Sequence, residues 1–304
     1  MRILGIIATA MVGGMVSGVV RAADDPPPAA PVANAVPPEG AVGGLGDVNL
    51  FPKRVVLDDR QRVATIGLYN RSAGSGDYEI AITDRAMTPG GDIVDLAAVT
   101  DPALKARVKT AADMLRWSPR RVVLQGNEAQ TVRVMARLPE GLPPGEYRAH
   151  FSAVAVPPDV DQGLSIADAA GNPPKNAIGV KIVPRFGISI PVIVRVGETT
   201  LTVGLASVRR TALPDGRQAL ALAITRGGTR SAFGDITVTA PGAKGLLAVA
   251  RGVGIYPEVD GRTVTLPLNP AAGPLAPGAR VTVTYTDDDF APGQTLAKQD
   301  FTVP

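Results

Sequence analysis

Residues 179–195 read GVKIVPRFGISIPVIVR. Every second residue is apolar, from Val180 through Ile182, Pro184, Phe186, Ile188, Ile190 and Val192 to Val194. That period of two gives an extended strand one continuous hydrophobic face. The run far exceeds the mean strand of about 5–6 residues. It also contains Pro184 and Pro191, which lack an amide donor and belong at a sheet edge. Long apolar edges template pairing with other chains and are normally avoided, so this one is expected to serve such pairing. Its C-terminal part, Ile190 to Val194, can face the chain's own sandwich instead. The part from Val180 to Ile188 is expected to face a partner.

The surrounding sequence of 304 residues has 34 glycines and 28 prolines interspersed among short Val/Ile/Leu/Thr runs, with little helical patterning. It reads as all-β, built from sandwiches or barrels, with room for two domains. Strands are expected at Val48–Pro52 and Arg54–Leu57 (one edge strand with a break), Val63–Tyr69, Tyr78–Ile82, Val122–Leu124, Thr131–Arg137 and Tyr147–Val156. Asp101-Pro102 suits a helix start, with a short helical segment to about Met114. A loop at Pro157–Asn176 leads into the long strand. Beyond Val196-Gly197 the pattern restarts at Leu201–Val208, Ala219–Thr225, Asp235–Thr239, Thr263–Leu268, Val281–Tyr285 and Gln299–Val303, a second β-sandwich.

Residues 1–22 carry Arg2, an apolar run and the small-x-small step Val20-Arg21-Ala22, the pattern of a cleaved signal peptide, with an uncleaved anchor as the alternative. No later segment is apolar and long enough to span a bilayer, so no stable membrane insertion is expected after cleavage. Residues 23–44, rich in Pro, Ala and Gly, read as an extended tether. The domains are then expected at 45–196 and 197–304.

Three blocks resemble the N-terminal domain of PapD-like periplasmic pilus chaperones: PKRVVLDDRQRVATIGLYN at 52–70, WSPRRVVLQGNEAQTVRV at 117–134 and GEYRAHFSAVAVPP at 145–158. The resemblance implies two immunoglobulin-like β-sandwich domains arranged at an angle. It implies a periplasmic chaperone that binds pilus or fimbrial subunits by β-strand addition (donor strand complementation) and delivers them to an outer-membrane usher. It further implies a basic pair that anchors the subunit's terminal carboxylate. Arg54 falls where the family's first-strand arginine lies, and a guanidinium fork suits a carboxylate. The family's edge-strand lysine would fall at about Ser189 to Pro191, where this chain has none; Arg185 or Arg195 could substitute. The candidate partner contacts are therefore Arg54, Arg185, Val180, Ile182, Phe186, Ile188 and Ile190. Burying the five apolar ones would contribute on the order of 7–15 kcal/mol, against an association cost of about 4–15 kcal/mol.

Other chemistry has little footing. Cysteine is absent, so neither disulfides nor thiol catalysis arise. His150 is the single histidine, in a strand, and no Ser/His/Asp set can be built around it. Asp287-Asp288-Asp289 lacks the spacing of a calcium loop and reads as a solvated turn. Gly90-Gly91 and Gly227-Gly228 read as turns, and Trp117 as packing in the first sandwich. A net charge of +3 without a basic stripe argues against nucleic acid. No enzyme activity, metal or cofactor is expected. The alternative reading is a secreted or cell-surface fimbrial component, although 23–44 lacks the alternating apolar residues of a donor extension.

Overall fold

A computed structural model of the chain describes residues 42–43, 48–156 and 185–304. Val180, Ile182, the signal region, most of the tether and the loop at 157–176 lie outside the described residues.

The first sandwich begins with β1 (Val42–Gly43), β2 (Val48–Phe51), β3 (Val55–Leu57), β4 (Val63–Asn70) and β5 (Gly76–Thr83). A small hairpin of β6 (Arg85–Met87) and β7 (Ile93–Asp95) follows. The helix α1 (Pro102–Arg107), β8 (Leu115–Ser118), β9 (Arg121–Leu124), β10 (Ala129–Ala136), β11 (Gly145–Ala155) and β12 (Gly187–Val196) complete it. One sheet has the order β1-β2-β4-β10-β8 and the other β3-β12-β11-β5-β9. The second sandwich has β13 (Leu201–Ala212), β14 (Gln218–Gly228), β15 (Ala232–Thr239), β16 (Ala248–Ile255), β17 (Gly261–Pro267), β18 (Arg280–Asp287) and β19 (Thr295–Thr302). Its sheets run β13-β14-β17 and β16-β15-β18-β19. Two sheets enclosing one core, antiparallel throughout except where β3 pairs in parallel with β12, make each unit an immunoglobulin-like sandwich.

Each core follows from alternation. In β4 and β10 the paired positions Ile66 and Val132 are fully buried, and Leu68 and Val134 sit on the same inward face. Two buried clusters result. One gathers residues from Val48 to Val194, and the other is built chiefly from Leu205 to Val303. Met87 and Ile193 of the first sandwich pack in the second cluster, joining the two.

Two expectations are refined. Val48–Leu57 is not one broken edge strand: β2 pairs with β4, whereas β3 pairs in parallel with β12, so the chain changes sheet at Pro52–Arg54. The helical segment ends at Arg107, well short of Met114. Asp101 caps it by accepting from the Ala103 amide at 2.9 Å, as the sequence suggests. Helix then gives way because Lys109 and Ala111 pair with the backbone of Arg148 in β11.

Candidate edge and junction site

The strand β12 shows how the ridge is used. It pairs with β11 over its whole length, from Gly187 opposite Val154 to Val196 opposite Gly145. Held in the sheet, its even-numbered residues Ile188, Ile190, Val192 and Val194 turn into the first core. Ile188 and Ile190 are only 5% and 1% exposed. The facing sheet covers both as long as the strand stays paired. Ile190 takes the own-sandwich orientation already open to it, whereas Ile188, expected to face a partner, is corrected to the core, so neither side chain is a free partner contact. One step earlier on the same face, Phe186 is 47% exposed. The hydrophobic face therefore leaves its own core between Ile188 and Phe186.

The backbone of that strand has a separate direction. The Ala155 amide donates to the Phe186 carbonyl at 2.8 Å, so even-numbered residues aim their backbone groups at β11 and odd-numbered ones away from it. On the far side β3 reaches only Val192–Val194. Gly187, Ser189 and Pro191 thus present their backbone to a side where no strand pairs among the described residues. Pro191 removes a donor from that outer side and costs the β11 ladder nothing.

Arg185, at the start of this edge, lies on the surface and pairs with Glu79 of β5 at 3.1 Å. Arg54 is elsewhere, buried where the two sandwiches meet, so the structure does not bring the two together. The Arg54 side chain is 6% exposed. Its Nη2 lies 2.8 Å from Asp289 Oδ2 and 4.0 Å from Glu146 Oε2, and donates to Ser231 Oγ at 2.5 Å. The guanidinium stacks 4.7 Å from the Phe233 ring centre. Arg54 was expected to meet a partner's carboxylate; here it already holds one from its own chain. The reason is the β18–β19 loop, which reaches across the junction. Asp288 pairs with Lys53, and Asp289 is shared between Arg54 and Arg195. Asp287, buried, fixes the loop by accepting from the Asp289 and Ala291 amides. The acidic triplet is therefore a structural latch rather than a solvated turn.

Residues that the sequence reading passed over complete the junction. Strand β11 alternates Tyr147, Ala149, Phe151 and Ala153 with Glu146, Arg148, His150 and Ser152, and all eight are buried. The apolar set faces the first core; of the polar set, Arg148 and His150 meet Glu258 and Tyr256 of the second sandwich, while Ser152 bonds to Ser189 of β12. Glu146 Oε2 accepts from Arg195 Nε at 3.2 Å. Arg148 pairs with Glu258 at 2.5 Å, both side chains 3% exposed, and lies 3.5 Å from the Tyr256 ring centre. Burial, and then the charges of Arg148, Arg85 and Arg54, push the His150 imidazole down to a pKa of about 2, so it is neutral. The signal was visible as a strand alternating apolar with charged residues, which would ordinarily suggest one wet face. Trp117 is partly buried, its indole donating to the Ile80 carbonyl at 3.1 Å. Among the described residues no cluster of acidic or histidine side chains could hold a metal, and no helix is long and apolar enough to cross a membrane.

By structure the chain is similar to the YadV chaperone, at 13% identity and a TM-score of 0.42, covering 84% of this chain and 99% of that one. It is similar to the Pseudomonas aeruginosa CupB2 chaperone at 12% identity and 0.41, covering 84% and 100%. A chain of the complex between the Salmonella enterica SafA pilin and SafB chaperone matches at 14% and 0.39, covering 86% and 98%. Each is a chaperone or a chaperone complex. No family model and no curated protein matches the sequence.

Proposed function

We propose that this chain is a periplasmic chaperone for pilus-type subunits, which takes up a subunit strand along the outer edge of β12 and passes the subunit to an outer-membrane usher. One observation carries the reading. The apolar face of the ridge runs out of its own core at Phe186, beside a stretch, Gly187–Pro191, whose outer backbone has no partner strand among the described residues. An edge of that kind recognises an extended segment by ladder hydrogen bonds, with specificity from alternate side chains. The three sequence blocks that resemble pilus chaperones support the same reading, and the partner proposed is of the class that SafB holds in its complex. The proposed parts are the signal peptide at 1–22, the tether at 23–44 and the two domains at 45–196 and 197–304.

The division of the ridge changes the energetics. With Ile188 and Ile190 committed to the core, Val180, Ile182 and Phe186 remain for the subunit. They would contribute about 4.5–9 kcal/mol when fully buried, near the lower half of the association cost. Backbone pairing and a carboxylate on Arg54 then decide the affinity. The test is complex formation between the mature chain and candidate subunits, read by size-exclusion chromatography and titration. A subunit can cover the exposed half of Phe186, so Phe186→Asp is expected to weaken 1:1 complexes by about tenfold or more. Complexes of unchanged affinity would refute the proposal.

A further inference from the structure

We infer that Asp289 is an internal stand-in for an incoming carboxylate, an autoinhibitory contact that keeps Arg54 closed until a client's chain end displaces it. This rests on the function proposed above and concerns how its anchor is regulated.

The geometry at Arg54 is that of a half-used fork. One nitrogen, Nη2, meets both Asp289 and Ser231, while Nε and Nη1 are buried without any hydrogen-bond partner. A guanidinium binds a carboxylate best through two parallel N–H groups. Asp289 reaches Arg54 through a single oxygen, Oδ2, and that same oxygen also pairs with Arg195. A carboxylate arriving at a chain end could engage two nitrogens where Asp289 engages one.

Release is also built in. When Asp289 lets go of Arg54 it keeps Arg195, so no buried carboxylate is stranded. Glu146 sits beside both arginines through Oε2 and retains a buried, unpartnered Oε1, a spare acceptor for whichever guanidinium is left short. Asp289 and Arg195 also line a cavity of about 740 Å³, together with Asp59, Glu198 and the exposed Phe290. The loop has space to withdraw without entering either apolar core. In the latched state the Arg54 side chain has almost no exposed surface, so apparent affinity for a carboxylate is scaled down to the fraction of molecules in which it is released.

The contact is tested on the full chain with phenylglyoxal, an arginine reagent, and peptide mapping. Arg209 serves as an exposed reference and Arg148 as a buried one. In the wild type Arg54 is expected to label much more slowly than Arg209. In Asp289→Asn, and more so in Asp289→Ser, the Arg54 rate is expected to rise about tenfold, equivalent to about 1.4 kcal/mol, with Arg148 still protected. Acetate, compared with chloride at equal ionic strength, should then slow Arg54 labelling in the variants. Arg54 labelling that stays unchanged in both folded variants overturns the inference. Arg148 and Arg54 becoming reactive together assigns Asp289 a merely structural role and also overturns it, and a lack of acetate protection removes the stand-in carboxylate. None of these readouts uses a subunit, so failure here is distinct from failure of strand addition at Phe186.

Discussion

Removing the charge of Glu258 is expected to be among the most damaging single changes in this protein. Glu258 Oε1 accepts from Arg148 Nη2 at 2.5 Å and from the Met87 amide at 2.7 Å, and Oε2 faces Arg148 Nη1 at 3.3 Å. Glu258→Gln keeps an acceptor for Met87 but leaves the buried Arg148 guanidinium without a counter-charge. Breaking a buried pair from one side costs about 3–5 kcal/mol. The Arg85 carbonyl, 2.9 Å from Nη2, and the Tyr256 ring remain as partners, which points to about 3 kcal/mol, the lower end of that range. That corresponds to a fall in Tm of about 6–12 °C. Adding Arg148→Met removes the stranded charge, and the double variant should recover most of the loss. Urea unfolding should be followed by circular dichroism and by fluorescence of Trp117, the only tryptophan, which reports the first sandwich alone. Because the pair joins β11 to the second sandwich, the two probes should separate in the single variant. A Glu258→Gln protein within about 1 kcal/mol of wild type, or a double variant less stable than the single one, would refute this account.

Two further outcomes follow from burial. His150 has a folded pKa of about 2 against an ordinary value of 6.5. The unfolded chain therefore takes up a proton that the folded one refuses, and the stability this provides above pH 6.5 is lost as pH falls. Between pH 7 and pH 5 the loss is about 2 kcal/mol, and His150→Asn, which cannot titrate, should lose that much less in urea unfolding at the two pH values; equal losses would contradict it. Ile190→Ala, at 1% exposure in the first core, should cost about 2–5 kcal/mol. Phe186→Ala, on the same strand face but outside the core, should change the urea midpoint very little.

Most of the longer strands were legible because a period of two survives in their ladders: Val63–Asn70 and Ala129–Ala136 emerge close to where alternation put them. What alternation cannot say is which neighbour covers a face. The alternation gave the correct inward-pointing parity for Ile188 to Val194, yet whether Ile188 meets a partner or its own facing sheet depends on how far that facing sheet extends over the strand. The second sandwich hid β16, whose AVARGVGI offers little branched apolar character and includes Gly252 at φ +63°, a conformation suited to glycine. The junction was illegible for another reason. Charged residues in β11 read as solvent-facing, and the partners that bury them lie far along the chain: Arg195 is 49 positions from Glu146, and Glu258 is 110 from Arg148. The acidic triplet looked like a turn because it is one; its pairing with Lys53, Arg54 and Arg195 exists only after both sandwiches have formed.

The charge at this junction bears on its purpose. A contact meant only to fix two sandwiches would bury apolar side chains, since buried ion pairs seldom stabilise more than well-packed apolar residues of similar size. Met87 and Ile193 do this at one part of the contact. Around Arg54 the chain instead keeps two guanidinium nitrogens and one carboxylate oxygen buried and unsatisfied, an arrangement that costs stability while it stays empty. Such groups make sense where a further polar group is to be received. The edge of β12 belongs to the sheet β3-β12-β11-β5-β9, and Arg54 lies one residue before β3, which pairs with β12 at the point where its outer edge stops being free. A strand added along Gly187–Pro191 would therefore be directed toward the place where β3 closes the edge and Arg54 begins it, so that the strand's length and its terminal carboxylate would be read together.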